Sequence, residues 1–178
     1  MRFLAISGSA RRASTNTAML RGLRAAAGAA HVVAVYDRIG ELPVFSPDLE
    51  AAPLPAAVAG LAAAVAAADG VIIASPEYVR AIPGGMKNAI DWLVSREELI
   101  AKPIVLAHAS HRGDDMLGQL RTVLATVSGR FSADIFLRFP LMALSPDDIS
   151  ERLRAADAVE TMRAYLADFA RFCGEGDS

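Results

Sequence analysis

Two stretches of the chain gather residue types that could hold an anionic ligand. The first is Gly8-Ser-Ala-Arg-Arg-Ala-Ser-Thr-Asn16, which brings the hydroxyls of Ser9 and Ser14, the guanidinium of Arg11 and the amide of Asn16 close together. An apolar run, Arg2 to Ser7, precedes it and a helix-forming run follows, so these groups converge where a strand turns into a helix. The unpaired N–H groups of that helix's first turn join them. Many donors, one fixed positive charge and a favourable dipole are what a phosphate monoester requires. A polar turn with a capping serine has the same letters and is the plainer alternative. Three sharper ones fail. The dinucleotide fingerprint G-x-G-x-x-G lacks two glycines, because positions 10 and 13 are alanines, and this leaves Asp37 a loop carboxylate. No Gly-Lys-Ser/Thr follows Gly8 at P-loop spacing, and no cysteine lies near enough for a cysteine phosphatase.

The second stretch is Ser75-Pro-Glu-Tyr-Val-Arg-Ala-Ile-Pro-Gly-Gly-Met-Lys-Asn-Ala-Ile-Asp-Trp92. Its two prolines and two glycines fix a backbone edge between a buried strand and a helix. Such an edge can offer N–H and C=O groups to a flat heterocycle, with Tyr78 as a wall; an ordinary crossover loop is the alternative. A third loop, Ser110-His-Arg-Gly-Asp-Asp-Met116, adds Ser110 and His111. The chain has three histidines, and around His108 and His111 no carboxylate or cysteine has metal-ligand spacing, so no metal site is expected.

The elements that position these loops follow from apolar patterning. Strands are expected at Arg2–Ser7, His31–Val35, Gly70–Ala74, Pro103–His108 and Ala133–Leu137. Helices are expected at Thr15–Ala29, Leu54–Ala68, Pro83–Val94, Asp114–Val127 and from Ser145 to about Phe172, with a polar tail from about residue 173. Ser145-Pro-Asp-Asp148 is a strong helix start, with a capping serine, proline in the first position and two acids behind it. Continuous apolar strands alternating with helices mean a doubly wound, five-stranded parallel sheet with helices on both faces, and 2-1-3-4-5 is the natural strand order. In such sheets the ligand lies at the carboxyl ends of the strands, here the loops after Ser7, Ser75 and His108.

Composition limits the rest. The 178 residues suit a single domain over the whole chain. Hydrophobic residues at 53%, charged residues at 21% and a mean hydropathy of +0.33 exclude a disordered chain. A net charge of −2 argues against a nucleic-acid partner. The apolar run at the start is too short for a secretion signal, and none has the length of a membrane helix. One cysteine, Cys173, suits a reducing, cytoplasmic compartment.

Taken together, Gly8-Ser9-x-Arg11-x-x-Ser14-x-Asn16, Ser75-Pro76-Glu77-Tyr78 and Ile82-Pro83-Gly84-x-x-Lys87-Asn88-Ala89-Ile90-Asp91-Trp92 resemble the NADPH-dependent FMN reductase family over roughly residues 3 to 130. Leu42-Pro43-Val44-Phe45 followed by Asp48 resembles that family's loop after the second strand. The resemblance implies a flavodoxin-like fold, an FMN cofactor, NADPH or NADH as hydride donor, and a homodimer or homotetramer. Carried over by position, Ser9, Arg11, Ser14, Thr15 (through its backbone N–H) and Asn16 would hold the FMN phosphate. Pro76, Glu77, Tyr78 and Val79 would line the isoalloxazine, with Ser110 at its edge. The acceptor would be a flavin, quinone, azo compound or metal oxyanion. The chemistry would belong to the flavin, so no catalytic side chain is expected.

Three departures stand out. Val79 replaces the family's usual asparagine, Arg80 puts a positive charge beside the ring site, and the loop after His108 is acidic where the family is glycine-rich. Arg80 and His111 are substrate-side candidates. Asp114 and Asp115 either cap the following helix or face the nicotinamide side and repel phosphates. Two other functions remain open on sequence: a non-catalytic FMN-binding electron carrier reduced by a protein partner, and an α/β domain that has lost its cofactor.

Overall fold

The computed structural model describes residues 1–11, 13–50, 53–94 and 96–175. Five parallel strands, β1 (Arg2–Ser7), β2 (Val32–Tyr36), β3 (Gly70–Ala74), β4 (Ile104–His108) and β5 (Phe131–Arg138), form one sheet in the order β2-β1-β3-β4-β5. Their alternation feeds two cores. Phe3, Ala5, Ile72, Ala74, Val105 and Ala107 face one side, while Leu4, Ile6, Val71, Ile73, Ile104 and Leu106 face the other. Because β1, β3 and β4 are covered on both faces, their sequences read as unbroken apolar runs.

The first face is covered by α1 (Thr15–Ala27), α6 (Pro146–Arg154) and α7 (Ala156–Gly174), through residues such as Leu20, Leu153 and Phe169. The second is covered by α2 (Ala56–Ala66), α3 (Gly84–Val94), α4 (Glu97–Ile100) and α5 (Asp114–Val127). The buried Tyr165 hydroxyl of α7 donates to Leu106 O at 3.0 Å, tying that helix to β4, and burial pushes its pKa well above the ordinary tyrosine value.

The structure corrects the expected elements in a few places. The single C-terminal helix is two, because Ala155 takes an extended conformation (φ −59°, ψ 143°). The Arg152–Asp157 ion pair, at 2.9 Å, spans the break. The second helix runs through Gly174, beyond the expected start of the polar tail. The short α4 was not expected, and β5 is longer than its apolar letters suggest, with a register shift against β4. The start at Ser145 is as expected: its hydroxyl accepts from Asp148 N, and the Asp148 carboxylate accepts from Ser145 N.

The segment Leu42–Phe45 and the Asn88–Trp92 motif explain one another. Asn88 Nδ2 and Trp92 Nε1, one helical turn apart on α3, both donate to Pro43 O, at 2.9 and 2.7 Å. Asn88 Oδ1 accepts from Phe45 N at 2.8 Å, and the Phe45 ring stands edge-on to Trp92. Met86, Ile90 and Trp92 are buried within the subunit, where this apolar face of α3 packs on the sheet. Asn88→Ala should therefore cost about 1–3 kcal/mol by leaving Phe45 N–H without this partner. A urea midpoint within error of wild type would show that the loop does not depend on this bond.

Candidate functional site

The carboxyl ends of β1, β3 and β4 meet around a cleft of about 410 Å³. What brings them together begins at Gly8. Its N–H donates to Ala74 O at 2.7 Å, and a Cβ at position 8 would lie 2.6 Å from Ser75 Oγ. Only glycine allows the two strand ends this approach.

Ser9, Arg11, Ser14, Thr15 and Asn16 line one side of the cleft. Ser9 and Asn16 are buried there. Ser14 caps α1, accepting from Thr17 N at 3.4 Å, and Ser9 Oγ accepts from Arg11 N at 3.2 Å, which orders the turn. Asn16 Oδ1 accepts from Ala109 N at 3.3 Å, joining α1 to the β4 loop and leaving its NH₂ as a donor. Among the described residues, no carboxylate pairs with the Arg11 guanidinium. The β1 turn therefore presents hydroxyls, an amide, the first-turn N–H groups and a cation to one space, a donor set matched to a phosphate.

Pro76, Glu77 and Tyr78 line the second side and Ser110 the third. The Glu77 carboxylate has a structural partner: its Oε2 accepts from Met116 N at 3.0 Å, in the first turn of α5. That helix begins at Gly113 (φ +100°), which has no side chain to cap it, so Glu77 supplies the cap from the neighbouring loop. Val79, Arg80 and His111 lie outside the cleft lining. Val79 and Arg80 form the tip of a tight hairpin in which Tyr78 and Ala81 exchange backbone hydrogen bonds of 3.2 and 3.0 Å. Both tip residues have left-handed backbones (φ 52° and 59°), and Val79 is 98% exposed. A β-branched residue is strained there, whereas asparagine is comfortable.

Arg80 is held against α5 by a 2.6 Å ion pair with Asp115 and by Gln119 Nε2 donating to its carbonyl at 3.0 Å. The Arg80 hydrogen bond and charge draw the Asp115 carboxyl below its ordinary pKa. Asp114 pairs with Arg138 of β5 at 2.9 Å. Both acids stand in the first turn of α5, where negative charge suits the helix dipole, but neither makes a capping hydrogen bond, and each pairs with an arginine.

Ala13, His108, Arg112 and Met142 also line the cleft without having been sequence candidates, and Gly113 lines it beside Ser110. His108 reads as a core residue and is one, only 2% exposed, yet it also floors the cleft. Its Nδ1 lies 3.1 Å from Ser75 O and its Nε2 2.5 Å from Arg112 O. Burial lowers its pKa below the ordinary 6.5 and Arg138 adds to that, while the two carbonyls and Asp114 pull the other way. Met142 follows β5, and its sulfur accepts from Ser110 Oγ at 3.6 Å. No sequence motif marked it.

A five-stranded flavodoxin-like sheet with a donor-rich cleft at the ends of β1, β3 and β4 defines a class of mononucleotide-binding α/β proteins. Residues 1–137 match the NADPH-dependent FMN reductase family, and the chain belongs to that family. It is 35% identical over 113 residues to a quinone reductase of Escherichia coli, covering 62% of this chain and 60% of that protein. It is 32% identical over 138 residues to an NADPH azoreductase of a Bacillus species, covering 75% of this chain and 76% of that protein. The chain thus matches about three fifths of the length of the first of these relatives. Among solved structures, a flavoenzyme NAD(P)H:(acceptor) oxidoreductase of Paracoccus denitrificans superposes with a TM-score of 0.77 at 21% identity, over 98% of this chain and 97% of that one.

Two outcomes follow for the residues around the cleft. Val79→Asn should raise stability by roughly 1 kcal/mol by relieving left-handed strain, read as a higher thermal midpoint; an unchanged midpoint would count against strain at the tip. His108, with its folded pKa lowered, binds fewer protons folded than unfolded, so its share of stability is present above pH 6.5 and is lost on acidification below it. Stability measured against pH should therefore fall less steeply through that window in His108→Gln than in wild type, and identical slopes would exclude His108 as a source.

Proposed function

We propose that the chain is an FMN-dependent oxidoreductase that takes hydride from NADPH or NADH and passes it to a small acceptor. The observation that carries this is the convergence, in one cleft, of the Ser9–Asn16 turn and the Pro76–Tyr78 edge, two segments far apart in the chain. The cleft suits FMN on two counts: a phosphate-type donor set with an unpaired guanidinium at one end, and a rigid proline-containing edge with an aromatic wall at the other. When bound, FMN supplies the two-electron carrier between nicotinamide and acceptor.

In this reading the chain's own residues bind and orient. Arg11, Ser9, Ser14, Asn16 and the Thr15 N–H hold the phosphate and so fix the depth of the cofactor. The main chain of Pro76, Glu77 and Tyr78 sets the ring plane, and Val79 sits at the rim. The Glu77 carboxylate keeps this edge locked to α5, and Ser110 and His108 close the far side. Quinones, azo compounds, flavins and metal oxyanions are the acceptor classes, the first two by likeness to the named relatives. Two or four copies would assemble with the exposed Tyr78 and Val79 covered at the cleft mouth, in a reducing cytoplasmic setting. No helix among the described residues is long and apolar enough to cross a membrane.

The direct test is anaerobic mixing of FMN-loaded protein with NADPH while the oxidised flavin band is followed. Bleaching much faster than for free FMN is expected, and a yellow complex that NADPH leaves untouched would move the assignment to an electron carrier. Arg11→Ala should weaken FMN binding about tenfold or more, since a charge-assisted contact is lost. Riboflavin, which lacks the phosphate, should bind the variant and wild type alike. Equal losses for both flavins would overturn the phosphate assignment.

A further inference from the structure

The backbone of Arg112 is the most heavily tied point of the β4–α5 loop. Its N–H donates to Ser110 Oγ at 3.0 Å. Its carbonyl faces His108 Nε2 and also accepts from Arg138 Nη2 at 3.1 Å. Arg138 reaches further, donating through Nε to Ser110 O at 2.7 Å and through Nη1 to Asp114. Gly113 then turns with φ +100° so closely over the imidazole that a Cβ there would lie 2.7 Å from His108 Nε2. A buried histidine and an arginine of β5 are thus both committed to one residue's main chain.

The side chain of that residue is the opposite case. Among the described residues, the Arg112 guanidinium has no hydrogen-bond or ion-pair partner, and Arg112 is an exposed residue of the cleft lining. The nearby acids do not compete for it: Glu77 is bonded to Met116 N–H, Asp114 to Arg138 and Asp115 to Arg80. The pairing of Asp114 and Asp115 with arginines offsets the repulsion that the acidic sequence of this loop suggested. What remains is a fixed base carrying an unpaired, always-charged head.

The loop that carries Arg112 is distinct from the phosphate turn, although Asn16 Oδ1 joins the two by accepting from Ala109 N. The loops after β1 and β4 are divided by β3, so their bases stand two strand spacings apart, about 10 Å. With Arg11 committed to one monoester, the geometry points to a second anion subsite. We propose that Arg112 binds a phosphate group of the nicotinamide dinucleotide that delivers hydride. This rests on the reductase reading above, and it makes a loop outside the two recognised motifs the part of the cleft that reads the donor.

Arg112→Gln and Arg112→Lys holoproteins test it. The donors compared are NADPH and N-benzyl dihydronicotinamide, a hydride donor without phosphate. In Arg112→Gln the ratio of kcat/KM for NADPH to that for the phosphate-free donor should fall about tenfold, the value of one charge-assisted contact. Calorimetric titration of the holoprotein with NADP⁺ should show a matching loss of affinity, partly restored in Arg112→Lys. The wild-type preference for NADPH should weaken as salt is raised, and more steeply than that of the glutamine variant.

A ratio and an NADP⁺ affinity unchanged in Arg112→Gln would overturn the proposal. So would an FMN Kd weakened as much as the NADP⁺ affinity, which would return Arg112 to the cofactor's own phosphate. A loss confined to a sulfonated azo acceptor would overturn it in favour of the acceptor. Wild-type holoprotein that ignores both donors would instead overturn the reductase reading, an outcome visible before any variant is made.

Discussion

The backbones of β1 and β3 come together at Gly8 and Ser75 more closely than any side chain at position 8 would permit. Everything at the cleft is arranged around that approach. It sets the turn carrying Arg11 beside the proline edge carrying Tyr78, and it directs the first turn of α1 into the space between them. From there the links run outward through single hydrogen bonds: Asn16 to Ala109, His108 to Ser75, Glu77 to Met116. Three strand ends become one rigid rim although none is covalently tied to another.

The rim is also an electrostatic arrangement. An acidic chain places arginines 11 and 112 at its cleft and pairs the nearby aspartates 114 and 115 with other arginines behind it. These ion pairs are exposed, and each contributes little to stability by itself. Their effect is on field: a carboxylate that would repel an anion is turned into part of a neutral pair, and the remaining guanidiniums set the sign of the cleft.

The fold was legible because β1, β3 and β4 are buried on both faces, which removes polar letters and makes strands unmistakable between helices. Gly8, Arg11, Ser14 and the Pro76–Tyr78 edge were legible for a related reason: local chemistry at a strand end has few other uses. The break at Ala155 was not, since neither glycine nor proline marks it and an alanine carries no sign of an extended ψ. Nor was the hairpin tip, where valine and arginine occupy a turn that glycine or asparagine normally announces. His108 has two roles at once, and its letters disclose only the buried one. Met142 reaches the cleft through tertiary placement alone, whereas Arg112 stands in a loop the strand order already put there, its side chain unmarked by any motif. Asn88 and Trp92 were visible as a motif, but their work is structural, since they grip the carbonyl of Pro43.

That grip makes the molecule self-reporting. Trp92 is the sole tryptophan, fully enclosed, with its indole N–H spent on Pro43 and its ring against Phe45. Its fluorescence therefore registers the undocking of the loop after β2, on the face of the sheet that carries α3. The first-face core, around Phe3 and Phe169, holds no tryptophan, so a partial opening there would leave the emission of Trp92 native.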